Sequence, residues 1–358
     1  MNTPKISVLI PLYNHKHYIE QCINSVLIQT FQDFEIIVRD DGSSDGSADF
    51  VEEKYAAEIK SGKIKLRRNE KNIGEFPTDN LLLREAAGKY VMILHSDDLY
   101  LPHALEHMYK IAEEYQADVV HAPIYFTSNS DGIIEEGTRL TLTHIKGLKI
   151  SYNQRHMNKI DLISDEPTKR FEDWITINID AQNNIFNRKF LLENDISFTS
   201  FGTGLTGGNR LFALKWIMKA KVFVKTFRPF YIRRDAPDSI TRSDFLPEHV
   251  AQFISEEIEL SRYLDKFFAE SEFFKDKPDV QYRARNYFLA TVDNSFIKRN
   301  GVYKEGISPE LNEAVENVFK KYFGDDFAYP TFLFHWVHCN MHKQKVSLLI
   351  APPNQIDS

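Results

Sequence analysis

The sequence predicts an α/β domain built on a largely parallel sheet, followed by a helical carboxyl-terminal region. Three observations lead there. Over the first third, apolar runs of strand length alternate with segments of helical period. Polar clusters follow the first, second and fourth of those runs, as expected where strands of an open sheet deliver ligand-binding loops. After about residue 244 the strand pattern gives way to helical spacing of large apolar side chains.

The elements follow in order. "ISVLI" (6–10) reads as the first strand. Ile19, Cys22, Ile23, Val26 and Leu27 recur at i, i+3, i+4, i+7 and i+8, so they form the inner face of a helix packed on the sheet. "FEIIV" (34–38) is the second strand. "DDGSSDGS" is then a turn rich in helix-capping residues, opening a helix with Val51, Tyr55 and Ile59 on one face. "KIKLR" (63–67) reads as a third strand, a helix is expected around 78–87, and "YVMIL" (90–94) is the fourth strand. Pro102 sits near the first turn of a helix whose inner face is Leu105, Met108, Ala112 and Tyr115. "DVVHA" (118–122) is a fifth strand. The pattern weakens over 125–200, and "KVFVKTFRPFYIRR" (221–234) returns to strand character. Beyond 244, Val250, Phe253, Ile254, Leu264, Phe267 and Phe268 precede Leu311, Ala314, Val315, Val318, Phe319 and Tyr322 at helical spacing.

Composition narrows the function. A chain of 358 residues is long enough for one large domain with an appendage, or for two domains. A formal charge of −7 and a pI near 6.0 argue against a general nucleic-acid binder, which needs a basic face. Two cysteines, Cys22 and Cys339, build no disulfide framework and fit a reducing cytoplasm. The start lacks the long apolar segment of a signal peptide, and no stretch of about 18 apolar residues is present to span a membrane.

The chemistry gathers at "PLYNH" (11–15), "RDDGSSD" (39–45) and "HSDD" (95–98), each at a strand end. Adjacent carboxylates at Asp97 and Asp98 repel one another and lose solvation, so they call for a cation, an arginine or hydrogen-bond donors. Hard oxygen-loving cations, Mg2+ or Mn2+, suit them and bridge a nucleotide diphosphate. "HWVHCNMH" (335–342) spaces His335, His338, Cys339 and His342 along one helical face, formally a zinc set, but an aromatic-rich packing or membrane-facing helix explains it more simply.

Taken together, "ISVLIPLYNHKHYIEQCINSVLIQTFQDFEIIVRDDGSSDGS", "NEKNIGEFPTDN", "AAGKYVMILHSDD" and "PFYIRRDAPDSITRS" resemble the inverting glycosyltransferases of family 2, over residues 4–243. The resemblance implies a GT-A-type nucleotide-binding sandwich over 1–243, with acceptor-side insertions at about 125–210 and a separate helical region over 244–358. It implies transfer of a hexosyl or N-acetylhexosaminyl group from a UDP-sugar to a glycan or lipid-linked acceptor, assisted by Mn2+ or Mg2+, in surface polysaccharide synthesis at the cytoplasmic side. By the same resemblance Pro11, Tyr13, Asp41 and Gly74 belong to the nucleotide pocket. Asp98 is the direct metal ligand, and Asp97 lies nearer the ribose and sugar. The carboxyl-terminal helices leave room for peripheral membrane contact or a homodimer.

Two departures stand out. Where the family carries an acidic pair whose second member is the general base, this chain has Gly208 and Asn209 in "TGGNRLFALKW", and a neutral amide takes up no proton near pH 7. Either the base lies elsewhere, or activity is reduced, or the alignment shifts, or the residue is a deliberate substitution. Asp173, Asp180, Asp235 and Asp238 are the replacement candidates. Asp79 also stands where an arginine often meets the donor, leaving Arg84, Arg233, Arg234 and Arg242 as candidate diphosphate partners. The chief rival is therefore a nucleotide-sugar-binding pseudoenzyme. A nucleotidyltransferase lacks its glycine- and lysine-bearing loop here, and a dinucleotide-dependent dehydrogenase lacks GxGxxG.

Overall fold

The computed structural model describes residues 3–127, 148–150, 160–163, 181–199, 208–228, 230–234 and 247–281, with 313, 317, 320 and 321 singly. Two compact units result, Met1–Thr199 with Asn209–Ser239, and Ser200–Gly208 with Ile240–Ser358.

In the first unit the strands are β1 (Ile6–Leu12), β2 (Phe34–Asp40), β3 (Ile64–Arg68), β4 (Tyr90–Ile93), β5 (Leu99–Tyr100), β6 (Val119–His121), β7 (Ile124–Thr127), β8 (Leu148–Ile150), β9 (Ile160–Ile163), β10 (Asn184–Asn187), β11 (Phe223–Thr226) and β12 (Tyr231–Arg233). Eight of them form the central sheet in the order β3-β2-β1-β4-β10-β6-β11-β9. The β3-β2-β1-β4 half is wholly parallel, and β10 enters antiparallel to both β4 and β6. A smaller sheet, β5-β12-β7-β8, pairs Tyr231 with Tyr100 and Ile232 with Leu99. A mixed α/β fold with a mostly parallel central sheet is what the strand–helix alternation predicted.

β1 and β2 are almost unbroken apolar runs because a parallel sheet is covered on both faces. Val8, Ile10, Ile36 and Val38 are fully buried, each worth roughly 1.5–3 kcal/mol relative to exposure. α1 (Ile19–Leu27) buries the predicted Ile19, Cys22, Ile23 and Val26 against them. Beyond β2 the sequence led us to expect one helix, whereas the chain forms α2 (Ser47–Lys54) and α3 (Ala56–Ser61). Tyr55 leaves helical geometry at φ −111° and ψ 29°, and its hydroxyl donates to the Glu20 carbonyl and Asn24 Oδ1. The periodicity survives the break because Val51 and Tyr55 stay buried on the same side. α4 (Glu75–Glu85) starts three residues earlier than expected, directly after Gly74, and α5 (Ala104–Tyr115) begins two residues after Pro102. The run over 221–234 divides into β11 and β12, which belong to different sheets.

α6 (Arg188–Glu193) is capped by Asn187, whose Oδ1 accepts from the Lys189 and Phe190 amides. α7 (Gly208–Lys219) buries Leu211, Phe212, Leu214, Trp216 and Ile217. Phe212 stacks on Phe198 at 4.0 Å, and Phe198 lies parallel to Phe76 of α4 at 5.7 Å. Asn80 fixes that ladder by bonding the Phe198 backbone with both ends of its amide, at 2.9 and 2.8 Å.

In the second unit, α8 (Pro247–Glu270) buries Leu260, Leu264 and Phe268, and Phe268 packs on Phe274 at 4.8 Å. The helical positions predicted over 311–322 all lie outside the described residues, as does the whole of 335–342 with its histidines and Cys339. Among the described residues, no helix is long and apolar enough to cross a membrane.

Candidate active site

Three loops meet at the carboxyl ends of β1, β2 and β4. Pro11 is half-buried within β1, and Tyr13, just past its end, is 44% exposed. Asn14 (φ 52°) accepts from the Ser44 amide at 2.8 Å and donates its own amide to Ser43 Oγ at 2.9 Å, lacing the β1 loop to the β2 loop. Across the other side, His15 Nδ1 lies 2.7 Å from Ser96 Oγ, which ties the β1 loop to the β4 loop. Asp45 holds the start of α2 through the Ser47 amide and hydroxyl, and also accepts from the Lys16 amide.

Asp41 is buried, and both its oxygens are engaged. Oδ1 accepts from the Ile73 amide at 2.9 Å and Asn69 Nδ2 at 2.8 Å, and Oδ2 accepts from the Gly74 amide at 2.9 Å. One carboxylate thus shapes the 69–74 loop, and its second acceptor oxygen keeps a lone pair for a ligand. The Gly74 amide, expected in the nucleotide pocket, is committed to Asp41 and to Asn72 Oδ1. Gly42 (φ 73°) admits no side chain, because a Cβ would sit 2.7 Å from the Asn72 amide nitrogen.

The aspartate pair follows β4. Asp98 is 2% exposed, and its Oδ2 accepts from the Tyr231 hydroxyl at 2.5 Å and its Oδ1 from the Arg234 amide at 2.7 Å. Arg234 also donates from Nε to the Asp97 carbonyl at 2.7 Å and from Nη2 to Gln21 Oε1 at 2.5 Å, with its guanidinium 5.0 Å from the Tyr18 ring centroid. Burial, and next the Asp97 charge, push the Asp98 carboxyl up to about 7. Cys22 lies beneath, its Sγ 3.4 Å from the His95 carbonyl, and burial followed by the charges of Asp98 and Asp97 drives its thiol upward.

His95, Asp97 and Asp98 each offer a ligand atom, all within 4.8 Å of one another. Two carboxylates and an imidazole fit Mn2+ or Mg2+ with ligand oxygens supplied by a diphosphate. The two donors already on Asp98 use one lone pair on each oxygen and orient the carboxylate, as outer partners of a metal ligand do.

The other predicted residues divide. Asn209 is half-buried in the first turn of α7, and no described polar contact joins it to Asp97 or Asp98. Its helix is held toward α4 by the Phe212–Phe198–Phe76 ladder. Asp79 is buried with Oδ1 unpartnered, and burial, then Glu75 one turn earlier, raise its carboxyl well above the usual range. Arg234 joins the site, Arg84 is exposed on α4, Arg233 is half-buried on β12, and Arg242 lies outside the described residues, as do Asp173, Asp180, Asp235 and Asp238. Tyr231 and Glu75 were not foreseen. Glu75 Oε1 lies 3.4 Å from His95 Nε2, and Tyr231 reaches Asp98 from 133 residues away through the β5–β12 pairing.

Residues 7–193, more than half of the chain, match the family model described as "Glycosyl transferase family 2". The chain belongs to glycosyl transferase family 2. Among curated relatives, the glycosyltransferase GlyG of Streptococcus pneumoniae is 34% identical over 127 residues, 36% of this chain and 41% of that protein. An uncharacterized glycosyltransferase of Rickettsia conorii is 41% identical over 114 residues, 32% of this chain and 18% of that protein. The match thus spans less than half the length of either relative. Residues 1–349 of Staphylococcus aureus TarS, solved with UDP-GlcNAc, superpose with a TM-score of 0.61 at 19% identity, covering 97% of this chain and 90% of that one. The mannosyltransferase PcManGT of Pyrobaculum calidifontis, solved with GDP-Man and Mn2+, gives 0.50 at 15% identity, covering 97% and 88%. These likenesses establish the family-2 member as a GT-A fold.

Proposed function

We propose that this family-2 chain transfers a sugar, with inversion, from a UDP-sugar to a glycan or lipid-linked acceptor in surface polysaccharide assembly. Residues 1–243 carry the reaction, on the cytoplasmic side and in peripheral reach of a membrane. The observation that carries the proposal is the buried Asp98, oriented by Tyr231 and Arg234 beside Asp97 and His95, at the strand end flanked by the β1 and β2 loops.

In this scheme Pro11, Tyr13 and Asp41 receive the nucleoside. Asp98, Asp97 and His95 would hold a divalent cation, which when bound would offset the negative charge of the departing nucleotide diphosphate. Arg234 fixes the loop by its bonds to the Asp97 carbonyl and Gln21. The acceptor hydroxyl loses its proton to a carboxylate on the opposite face of the sugar. The amide of Asn209 cannot take it, and Asp173, Asp180, Asp235 and Asp238 are the candidates for that role. The specific feature favouring a second reading, a nucleotide-sugar-binding pseudoenzyme, is again Asn209.

Calorimetric titration of UDP, GDP, CDP and dTDP, with Mn2+ and then with chelator, tests the donor site. Metal-dependent binding of UDP supports it, and binding of none rejects it. Nucleotide release that rises with acceptor separates enzyme from pseudoenzyme. Asn209→Asp should create or raise turnover if Asn209 fills the base position. A folded variant with no gain on the true acceptor counts against that assignment.

A further inference from the structure

The order of the strands divides the site. The nucleoside residues sit at the ends of β2 and β1, the aspartate pair at the end of β4, and the next strand across is β10. β10 runs antiparallel to β4, with Phe186 opposite Val91 and Asn187 opposite Tyr90. Its beginning therefore lies beside the end of β4, and the 3-10 turn Ala181–Asn183 that leads into it packs on β4. The turn therefore stands next to the strand end that carries the aspartate pair.

Gln182 is in the middle of the turn. It is 4% exposed, and its Oε1 is buried without a hydrogen-bond partner. An orphaned acceptor of this kind is costly unless a donor meets it. The turn has little freedom to relieve it. Asn183 donates to the Ala122 carbonyl at 2.8 Å and accepts the Ala122 amide on its own carbonyl at 3.0 Å. Asn184 Nδ2 reaches the Ala181 carbonyl at 3.4 Å and Asn183 Oδ1 at 3.3 Å. With that amide donating, Asn184 Oδ1 is the acceptor of the 3.1 Å contact from His121 Nδ1, which must carry the hydrogen. Burial holds the His121 imidazole down to about 3, so the clamp keeps one charge state across the working range. A further buried acceptor without a hydrogen bond, Asp79 Oδ1, lies on α4.

We propose that Gln182 is a specificity-determining residue, whose Oε1 accepts a hydrogen bond from a hydroxyl or N–H group of the transferred sugar. The proposal rests on the UDP-sugar reading above and names the group that selects among such donors. A rigid buried acceptor discriminates against a sugar lacking the matching donor more strongly than apolar contact does.

The test compares Kd for UDP, UDP-glucose, UDP-galactose and UDP-N-acetylglucosamine, with Mn2+, in the wild type, Gln182→Met and Gln182→Glu. The wild type should separate the three sugars by about tenfold or more. Gln182→Met, close in volume but without the acceptor, should flatten that range to about twofold while leaving UDP within about twofold of wild type. Gln182→Glu keeps the acceptor and should keep the ranking. Unchanged discrimination in Gln182→Met overturns the proposal, as does equal weakening of UDP, which signals a structural role. If Gln182→Met fails to fold, loss of ranking in Gln182→Glu overturns it instead. A wild type that binds UDP but does not discriminate rejects this inference alone, whereas one that binds no UDP rejects the donor site and this inference with it.

Discussion

The two halves of the candidate site are built differently. On the β1–β4 side each strand hands its polar loop directly to the ligand region, and the loops are stitched by short contacts such as Asn14 to Ser44 and His15 to Ser96. On the β10–β12 side single residues arrive through pairings far apart in sequence, as Tyr231 and Arg234 do on Asp98 and as Gln182 does beside β4. The first half supplies charge, and the second decides how that charge is oriented and what is left for a ligand to fill.

That contrast can be broken most severely at Asp98. Asp98→Ala removes the central carboxylate of the β4 loop and should abolish Mn2+-dependent nucleotide binding in calorimetry. Unchanged affinity in Mn2+ would sink the metal assignment. Tyr231→Phe tests the long-range half without touching the aspartates. A hydrogen bond to a charged group is worth about 1.5–3 kcal/mol, so Mn2+-dependent affinity should fall by roughly tenfold or somewhat more. A loss as complete as that of Asp98→Ala would mean that Tyr231 contributes more than orientation.

Asp79 sharpens the comparison from inside the first half. Its carboxyl is raised by burial and by Glu75, so folding favours the protonated form and stability from this residue declines as pH rises. Asp79→Asn removes the titration and should stabilise the fold by ~1–3 kcal/mol at pH 8, with the gain shrinking toward pH 4. Denaturant unfolding at the two pH values reads this directly, and a variant that is destabilised at both would show that the carboxylate has a partner to lose. The smallest effect is a shift rather than a loss. With Asp98 raised from an unfolded value of about 3.9 to about 7, its contribution to stability is present at low pH and declines through that window. A cation favours the carboxylate, so Mn2+ should raise Tm more at pH 8 than at pH 5. Equal shifts at both would remove Asp98 from the metal site.

Legibility in the sequence followed the same division. β1, β2 and β4 were readable because buried parallel strands are uninterrupted apolar runs, and the polar stretches that follow them are contiguous in the chain. His95 lay inside the polar stretch "HSDD" but was given no role, and Arg234 was one of four candidate arginines. Tyr231 was not assigned, because its value depends on β12 pairing with β5 rather than on its own neighbours. Gln182 read as part of a polar loop, since "DAQNN" gives no local hint that all of Ala181–Asn184 is buried. The break at Tyr55 was hidden because helical spacing continued through it, the tyrosine hydroxyl being satisfied across the gap.

Cys22 gives the site a built-in clock. Its thiol is fully enclosed between α1 and the β4 loop, and its proton is held by burial and by the two aspartates below which it lies. In the closed state the sulfur is both covered and held protonated, so a thiol reagent reaches it only when α1 lifts from the sheet. In a Cys339→Ser background, the rate at which Cys22 is labelled therefore reports how often α1 opens beside the β4 loop, without any substrate being known.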